Sequence, residues 1–511
     1  MKIPLIRAAG LGSSLLVLMN GCGKNSASQA APPDAKSPAP AAADPGKLTA
    51  VRAPDGTLAL AYPNGAPVDG VKLSQYDWAI ISPCIAVGPD GVIHVAYNEQ
   101  LRTSPYPQFI YHRQSSDGGV TWSDPKNLSE DITDTGVGTC KLIIDGQNRT
   151  YVVWRTGIGT YGNGGQQEAQ NTVSNLVYRC LDNGKWSKIL RVHKPTSQNQ
   201  DGSMSFVATV DGAGKAQVIY NTSPNRFHPD QALGPAGMTA AGIGWGLIFQ
   251  ETLDGSNAVQ PHEWYMSPIK VDPENPYTRS CDGFNALDGY VDKAGQPHLI
   301  AQVMNLNDTK TNMEVIEDRK QTPAISLPPD AFGEFALHPP RMLVDAKGVR
   351  HIIAKFDAGE HPSIRDYVIG SDDDPTIIMS AKASPAAIED FRAYQGPSGK
   401  MAAIIETTDN VTSGAGDSWL VTNDDGKWSE PINLTNNAGR KTWAGKRTGA
   451  LGSVVTVDSY SPGPGAVAWD KDGHLVMLLI NNKTGSFGLA VGGVTYTSGS
   501  SKTPMLFFYR I

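Results

Sequence analysis

One short pattern returns from end to end of this 511-residue chain: an apolar run, a tight turn, then a strand of alternating apolar and polar residues. The copies are IAVGPDGVIHVAY at 85–97, LIIDGQNRTYVVW at 142–154, VATVDGAGKAQVIY at 207–220, GYVDKAGQPHLIAQV at 289–303, MLVDAKGVRHIIAKF at 342–356, AYQGPSGKMAAIIE at 393–406 and AVAWDKDGHLVMLLI at 466–480. Asp-Gly pairs between β-rich runs are a strong hairpin signal, because such turns need a residue at positive φ. The turns fall at Asp90, Asp145, Asp211, Asp292, Asp345, Gly396 and Asp470. Recurrence of one supersecondary unit signals a repeat architecture before any residue-level detail.

The composition agrees. Gly 54 and Pro 36 favour many turns over long helices. No stretch carries sustained helical periodicity, and AKASPAAIEDFRAY at 381–394 is at best one short helix. Hydrophobic residues at 40% with 18% charged exclude wholesale disorder. The net charge of -7 gives no basic face of the kind a nucleic-acid binder uses.

The first residues read as a targeting signal. Lys2 and Arg7 precede a small or apolar run at 8–19 and then Asn20-Gly21-Cys22. This is a secretory signal, 1–21, and is shorter than the ~20 apolar residues a stable span requires. The ending M-N-G-C resembles a bacterial lipoprotein box, which implies a lipid on Cys22. Gly23, in place of Asp, implies the outer membrane of a Gram-negative envelope. Residues 22–49 are rich in Ala, Pro and Ser, hold almost no large apolar side chain, and are expected to be a disordered tether. Of the five cysteines, removing Cys22 leaves Cys84, Cys140, Cys180 and Cys281, an even number as suits an oxidising compartment. Three pairings exist; Cys84 with Cys140 is favoured, because they precede similar hairpins in consecutive repeats.

A second element lies between the hairpins. SSDGGVTWSDPKNLS at 115–129 has the form S-x-D-G-G-x-T-W, and CLDNGKWSKIL (180–190) and TNDDGKWSEPINL (422–434) keep its Asp, Gly and Trp. The full copy, Ser115, Asp117, Gly119, Thr121 and Trp122, resembles the Asp box of the bacterial neuraminidase repeat. That resemblance implies a sialidase-type β-propeller over 50–511, in which these residues are structural. The seven hairpins set seven four-stranded blades, with six as the alternative, and the strand TLALAY (57–62) is expected to complete the last blade and close the ring. At about 66 residues per repeat, against ~40–50 for a minimal blade, the connections must be long.

The resemblance also sets expectations for chemistry. Sialidases hold a substrate carboxylate with an Arg cluster, use a Tyr nucleophile with a Glu partner, and use an Asp acid/base. Tyr460-Ser461 precedes the last hairpin, with Arg447 upstream. Where the acid/base Asp belongs, residues 92–114 hold no Asp, only Glu99. A glycosidase with two carboxylates would draw on Glu99, Asp282, Glu334 or Asp366. A polysaccharide lyase needs a His or Tyr base with a cation, for which Tyr111-His112-Arg113, His262 with Tyr265, Arg279, His338 with Arg341, and Arg365 with Tyr367 are available. A non-catalytic glycan receptor or scaffold is the third class. The candidate catalytic set is Tyr460, Glu99, Arg447, Arg279 and Arg341. No cofactor is implied; the acidic turn at Ser371, Asp372, Asp373 and Asp374 is weighed as a structural calcium site against a simple solvated turn. The expected partner is an extracellular glycan, the expected membrane contact is through the lipid alone, and the expected state is a monomer.

Overall fold

The computed structural model describes residues 49–52, 58–61, 71–75, 79–100, 108–130, 137–156, 175–192, 205–222, 246–257, 262–268, 270–271, 279–280, 283–304, 311–326, 340–356, 362–380, 387–408, 416–434, 463–481 and 505–510. The signal segment and tether, with Cys22, lie outside them.

The described strands form seven sheets of four to six strands and one two-stranded ribbon. In chain order the innermost strands are Ala79–Val87, Val137–Ile144, Phe206–Val210, Gly283–Val291, Arg341–Val344, Ala387–Gln395 and Gly463–Trp469. Each is followed by an antiparallel meander outward. Each inner strand packs on the next, and the last packs on the first, so the sheets stand around a common axis as the blades of a β-propeller. Blades are numbered here by these inner strands. The core lies between blades: Tyr151, Tyr178 and Tyr220 pack between blades 2 and 3, and Ile353, Phe391 and Ile405 between blades 5 and 6.

All seven recurring turns share one geometry, which is why the sequence repeats. The first residue of the turn donates its N–H to the carbonyl four residues on, as from Asp145 to Arg149 at 3.0 Å and from Gly396 to Lys400 at 2.7 Å. In five of them an Asp side chain accepts the two backbone N–H groups that follow; Asp145 Oδ1 takes those of Gln147 and Arg149, each at 2.9 Å. The fourth residue has positive φ, which Gly214, Gly295, Gly348 and Gly473 meet without strain and Asn148 meets at φ 61°. Blade 1 departs from this: its turn begins at Gly88, and Asp90 sits two positions later than the other aspartates.

The turn Ser115–Trp122 is a closed network. Asp117 Oδ1 accepts from Ser115 Oγ at 2.8 Å and from Thr121 N at 2.9 Å, while Trp122 Nε1 donates to the Gly119 carbonyl at 2.9 Å. The Asp117 carboxyl is pushed up by burial, but the hydrogen bonds from Thr121 and Ser115 outweigh this and hold it down at about 2. Trp122 meets Phe508 of blade 7 edge-on with centroids 5.0 Å apart. Gly119 has φ 96°, and a Cβ there would lie 2.0 Å from the Phe508 ring. The two eroded copies do the same job at other seams. Trp186 of blade 2 meets His112 of blade 1 at 4.8 Å, and Trp428 Nε1 of blade 6 donates to Asp366 Oδ2 of blade 5 at 2.9 Å. Each Trp therefore reaches back to the preceding blade.

Two expectations are corrected. Ring closure does not use TLALAY. Leu58–Ala61 instead runs parallel to Ile432–Asn433 on the outside of blade 6, with Thr49–Arg52 beyond it. The strand that completes the last blade is Val71–Lys72, antiparallel to Met505–Arg510. The second correction concerns 381–394: residues 387–395 are the inner strand of blade 6, because alternation of buried Phe391 and Ala393 with Arg392 and Tyr394 is a strand period. Pro397–Gly399 is the single helical turn assigned among the described residues.

Candidate functional site in the central channel

In an antiparallel meander, the first and third turns of each blade share one end of the ring. The second turns and the blade-to-blade links share the other. The seven hairpins and the Ser115–Trp122 turn lie at the first end. The strand ends joined by 157–174, 223–245, 435–462 and 482–504, among the longest connections, all lie at the second, termed the mouth.

Near the mouth the inner strands are irregular. Register shifts interrupt them at Ile81/Cys84, Val137/Cys140, Phe284/Leu287, Ile388/Asp390 and Gly463/Ala466. Bulges of this kind re-aim side chains and concentrate beside functional sites. Just beyond them, one position per blade forms a belt. Counted four residues before the turn, it reads Cys84, Lys141, Val207, Asp288, Arg341, Arg392 and Ala466.

The belt gathers charge from four blades. Arg341 Nε lies 3.2 Å from Asp288 Oδ2, and the same oxygen accepts the Met342 N–H at 2.8 Å. Arg392 Nε lies 3.8 Å from Asp390 Oδ2. Lys141 has its ammonium 5.4 Å from the Phe206 ring centre and makes no hydrogen bond or ion pair among the described residues. Burial pushes the Lys141 amine down to about 8; Arg341 and Arg392 add to the shift, against Asp288 and Cys84. Asp390 and Glu406 stand directly opposite each other on neighbouring strands of blade 6. Cys84 and Cys140 are side by side as thiols, with sulfurs 3.9 Å apart and unbonded.

The sequence-predicted residues separate into three groups. Arg341 belongs to the belt. Glu99 does not: it is fully buried at the mouth end of blade 1, where its Oε2 accepts from Gln75 N at 3.4 Å beside the closing segment. Tyr460 and Arg447, with Asp282, Glu334, His338 and Cys281, lie outside the described residues, and for Arg279 only the backbone is described, in the ribbon strand Arg279–Ser280. The lyase candidate at 111–113 is blade packing. His112 is buried and shares a 3.1 Å hydrogen bond with His94; burial, and then His94, hold its imidazole well below the usual range. Arg113 donates to the Leu73 carbonyl at 2.8 Å. Asp366 is likewise committed, accepting from His351 Nδ1 at 2.9 Å and from Trp428. In the acidic turn, Ser371 Oγ donates to Asp373 Oδ2 at 2.9 Å and the side chains are exposed. Sequence reasoning missed Lys141, Asp288, Asp390 and Arg392; the signal that would have found Lys141, Asp288 and Arg392 is their shared place four residues before a turn.

No protein-family model matches this sequence, and no curated protein does. Several solved structures are similar to this chain at low identity. A Hadza microbial sialidase, Hz136, is 12% identical with a TM-score of 0.40 over 92% of this chain and 74% of its own. A polysaccharide lyase of family PL25, an ulvan lyase, is 11% identical with a TM-score of 0.41 over 82% of this chain and 92% of its own. The NanB sialidase of Streptococcus pneumoniae is 11% identical with a TM-score of 0.35 over 87% and 70%.

Proposed function

We propose that this protein binds an acidic glycan at the mouth of its propeller, with the belt cations Lys141, Arg341 and Arg392 facing the carboxylate or sulfate groups. The observation that carries the reading is the convergence of those three cations from three different blades, with Lys141 making no ion pair among the described residues. Guanidinium groups suit carboxylate and sulfate because their donors form a planar fork. The long connections at the same end are where a propeller places its recognition loops. The Ser115–Trp122 turn, read as an Asp box, is consistent with a sialidase-like scaffold.

A second reading, glycoside hydrolysis, rests on Asp390 and Glu406. The two stand directly opposite each other on antiparallel strands, and glycosidases work with a pair of neighbouring carboxyl groups. The amino-terminal signal adds a place: a lipid on Cys22 and the tether 22–49 would hold the propeller at the outer membrane.

The test is a panel of sialylated, uronate-bearing, sulfated and neutral glycans presented to the purified full chain, with binding and release of sugar measured together. Binding confined to the acidic members, weakened by salt and by Lys141→Gln, supports the proposal. Equal binding of neutral glycans, or none to acidic ones, overturns it. Turnover that Asp390→Asn abolishes while binding persists selects the hydrolase, and an unsaturated ultraviolet-absorbing product selects a lyase.

A further inference from the structure

The thiol pair in the channel wall is unused by the glycan reading. Cys84 and Cys140 occupy the first paired positions after the register shifts in the inner strands of blades 1 and 2. Their sulfurs are 3.9 Å apart, and the Cys84 S–H also reaches the Cys140 carbonyl at 2.9 Å. The two differ in access: Cys84 is half-buried, whereas Cys140 is 1% exposed.

We infer that Cys84 and Cys140 are a redox-active pair that closes to a disulfide joining blades 1 and 2, with Cys84 as the attacking sulfur and Cys140 as the resolving one. A disulfide needs its sulfurs ~2.05 Å apart, so closure asks for side-chain rotation within a contact that already exists. The roles follow from the surroundings. A hydrogen bond from the Cys140 thiol holds the Cys84 thiol below its usual range, with Arg392 and Lys141 adding to this, while the same bond and burial push Cys140 up. The thiolate is the nucleophile in disulfide exchange. Those same cations oppose a bound metal ion at the pair. The remaining described thiol, Cys180, is pushed up to about 11 by burial, which leaves it protonated and slow.

The co-reactant is a small disulfide. Cys84 thiolate attacks one of its sulfurs, a mixed disulfide forms, and one thiolate leaves. Cys140 then loses its proton to that thiolate and attacks the Cys84 sulfur, expelling the second thiolate. Two protein thiols and one small disulfide become one protein disulfide and two small thiols.

The experiment uses the full chain, reduced, freed of reductant and exposed to oxidised glutathione. Thiols are counted after denaturation and peptides are mapped by mass. The proposal expects loss of two thiols, one cross-linked peptide pair carrying Cys84 and Cys140, and a rise in melting temperature that reductant reverses. Cys140→Ser is expected to retain glutathione on Cys84, and Cys84→Ser to leave Cys140 unmodified over the same interval. Both thiols surviving a large excess of oxidant, a cross-link from either residue to Cys180 or Cys281, or glutathione retained first on Cys140 would overturn it. None of these readouts depends on glycan binding.

Discussion

Arg341 and Asp288 face each other across the seam between blades 4 and 5, Nε to Oδ2 at 3.2 Å, without the alignment of a hydrogen bond. The same Oδ2 accepts the Met342 N–H at 2.8 Å, and the Arg341 Nε–H makes no hydrogen bond of its own. Hydrogen bonds to charged groups contribute about 1.5–3 kcal/mol. Arg341→Ala is therefore expected to weaken an acidic glycan roughly 10- to 100-fold. Arg341→Lys should recover part of the affinity. Titration calorimetry of both variants checks this, and equal affinity of all three proteins would remove Arg341 from the site.

Affinity should also follow the charge on Lys141. Its amine sits at about 8 because it is buried beside Arg341. It is cationic at lower pH and loses that charge as pH rises through about 8. Binding of a sulfated or uronate ligand is expected to fall between pH 7 and 9. The same titration with Lys141→Met should be flat over this window, and an unchanged slope in the variant would refute the assignment.

The paired imidazoles of blade 1 set an acid limit on stability. Burial lowers His94 to about 4 from an ordinary 6.5, so the folded protein keeps it neutral while the unfolded chain takes up a proton. The contribution is full above pH 6.5 and is lost as pH falls toward 4. Its size is roughly 3 kcal/mol at the low end. Thermal melts in that window should decline less steeply for His94→Asn than for the parent.

Glu251 acts in the opposite direction. Burial raises its carboxyl to about 7, and its Oε1 accepts the His262 N–H at 2.7 Å. A carboxyl raised in the folded state costs stability as pH climbs from its unfolded value near 4.5 through 7. Glu251→Gln keeps the acceptor and has no charge to bury. It is expected to melt higher than the parent at pH 8, by up to about 3 kcal/mol of stability, and to match it at pH 4.

Local turn chemistry made the strand order legible from the sequence, since each Asp-x-x-Gly writes its own hairpin in four letters. The Trp residues of the third turns were legible for the same reason. The site was less so. Arg341 is marked in the sequence by its neighbour His338, and Glu99 by its place before Ser115–Trp122, yet that place is a buried seam. Lys141, Asp288 and Arg392 are separated by 147 and 104 residues along the chain, and only ring closure brings them to one axis. Their immediate neighbours do not distinguish them from surface charges; only their shared place four residues before a turn does. TLALAY has the same alternation as any closing strand, and its partner was decided by which outer edge stood open, blade 6 rather than blade 7.

The pairing of Val71 with Phe508 gives the strand Met505–Arg510 a role in time. The outermost strand of blade 7 precedes all seven inner strands along the chain, and its partner follows them all. A growing chain can fold six blades and still present two raw margins to its surroundings. Removing Met505–Arg510 would leave the finished molecule in that half-made condition, with Gly119 and Trp122 facing a missing neighbour.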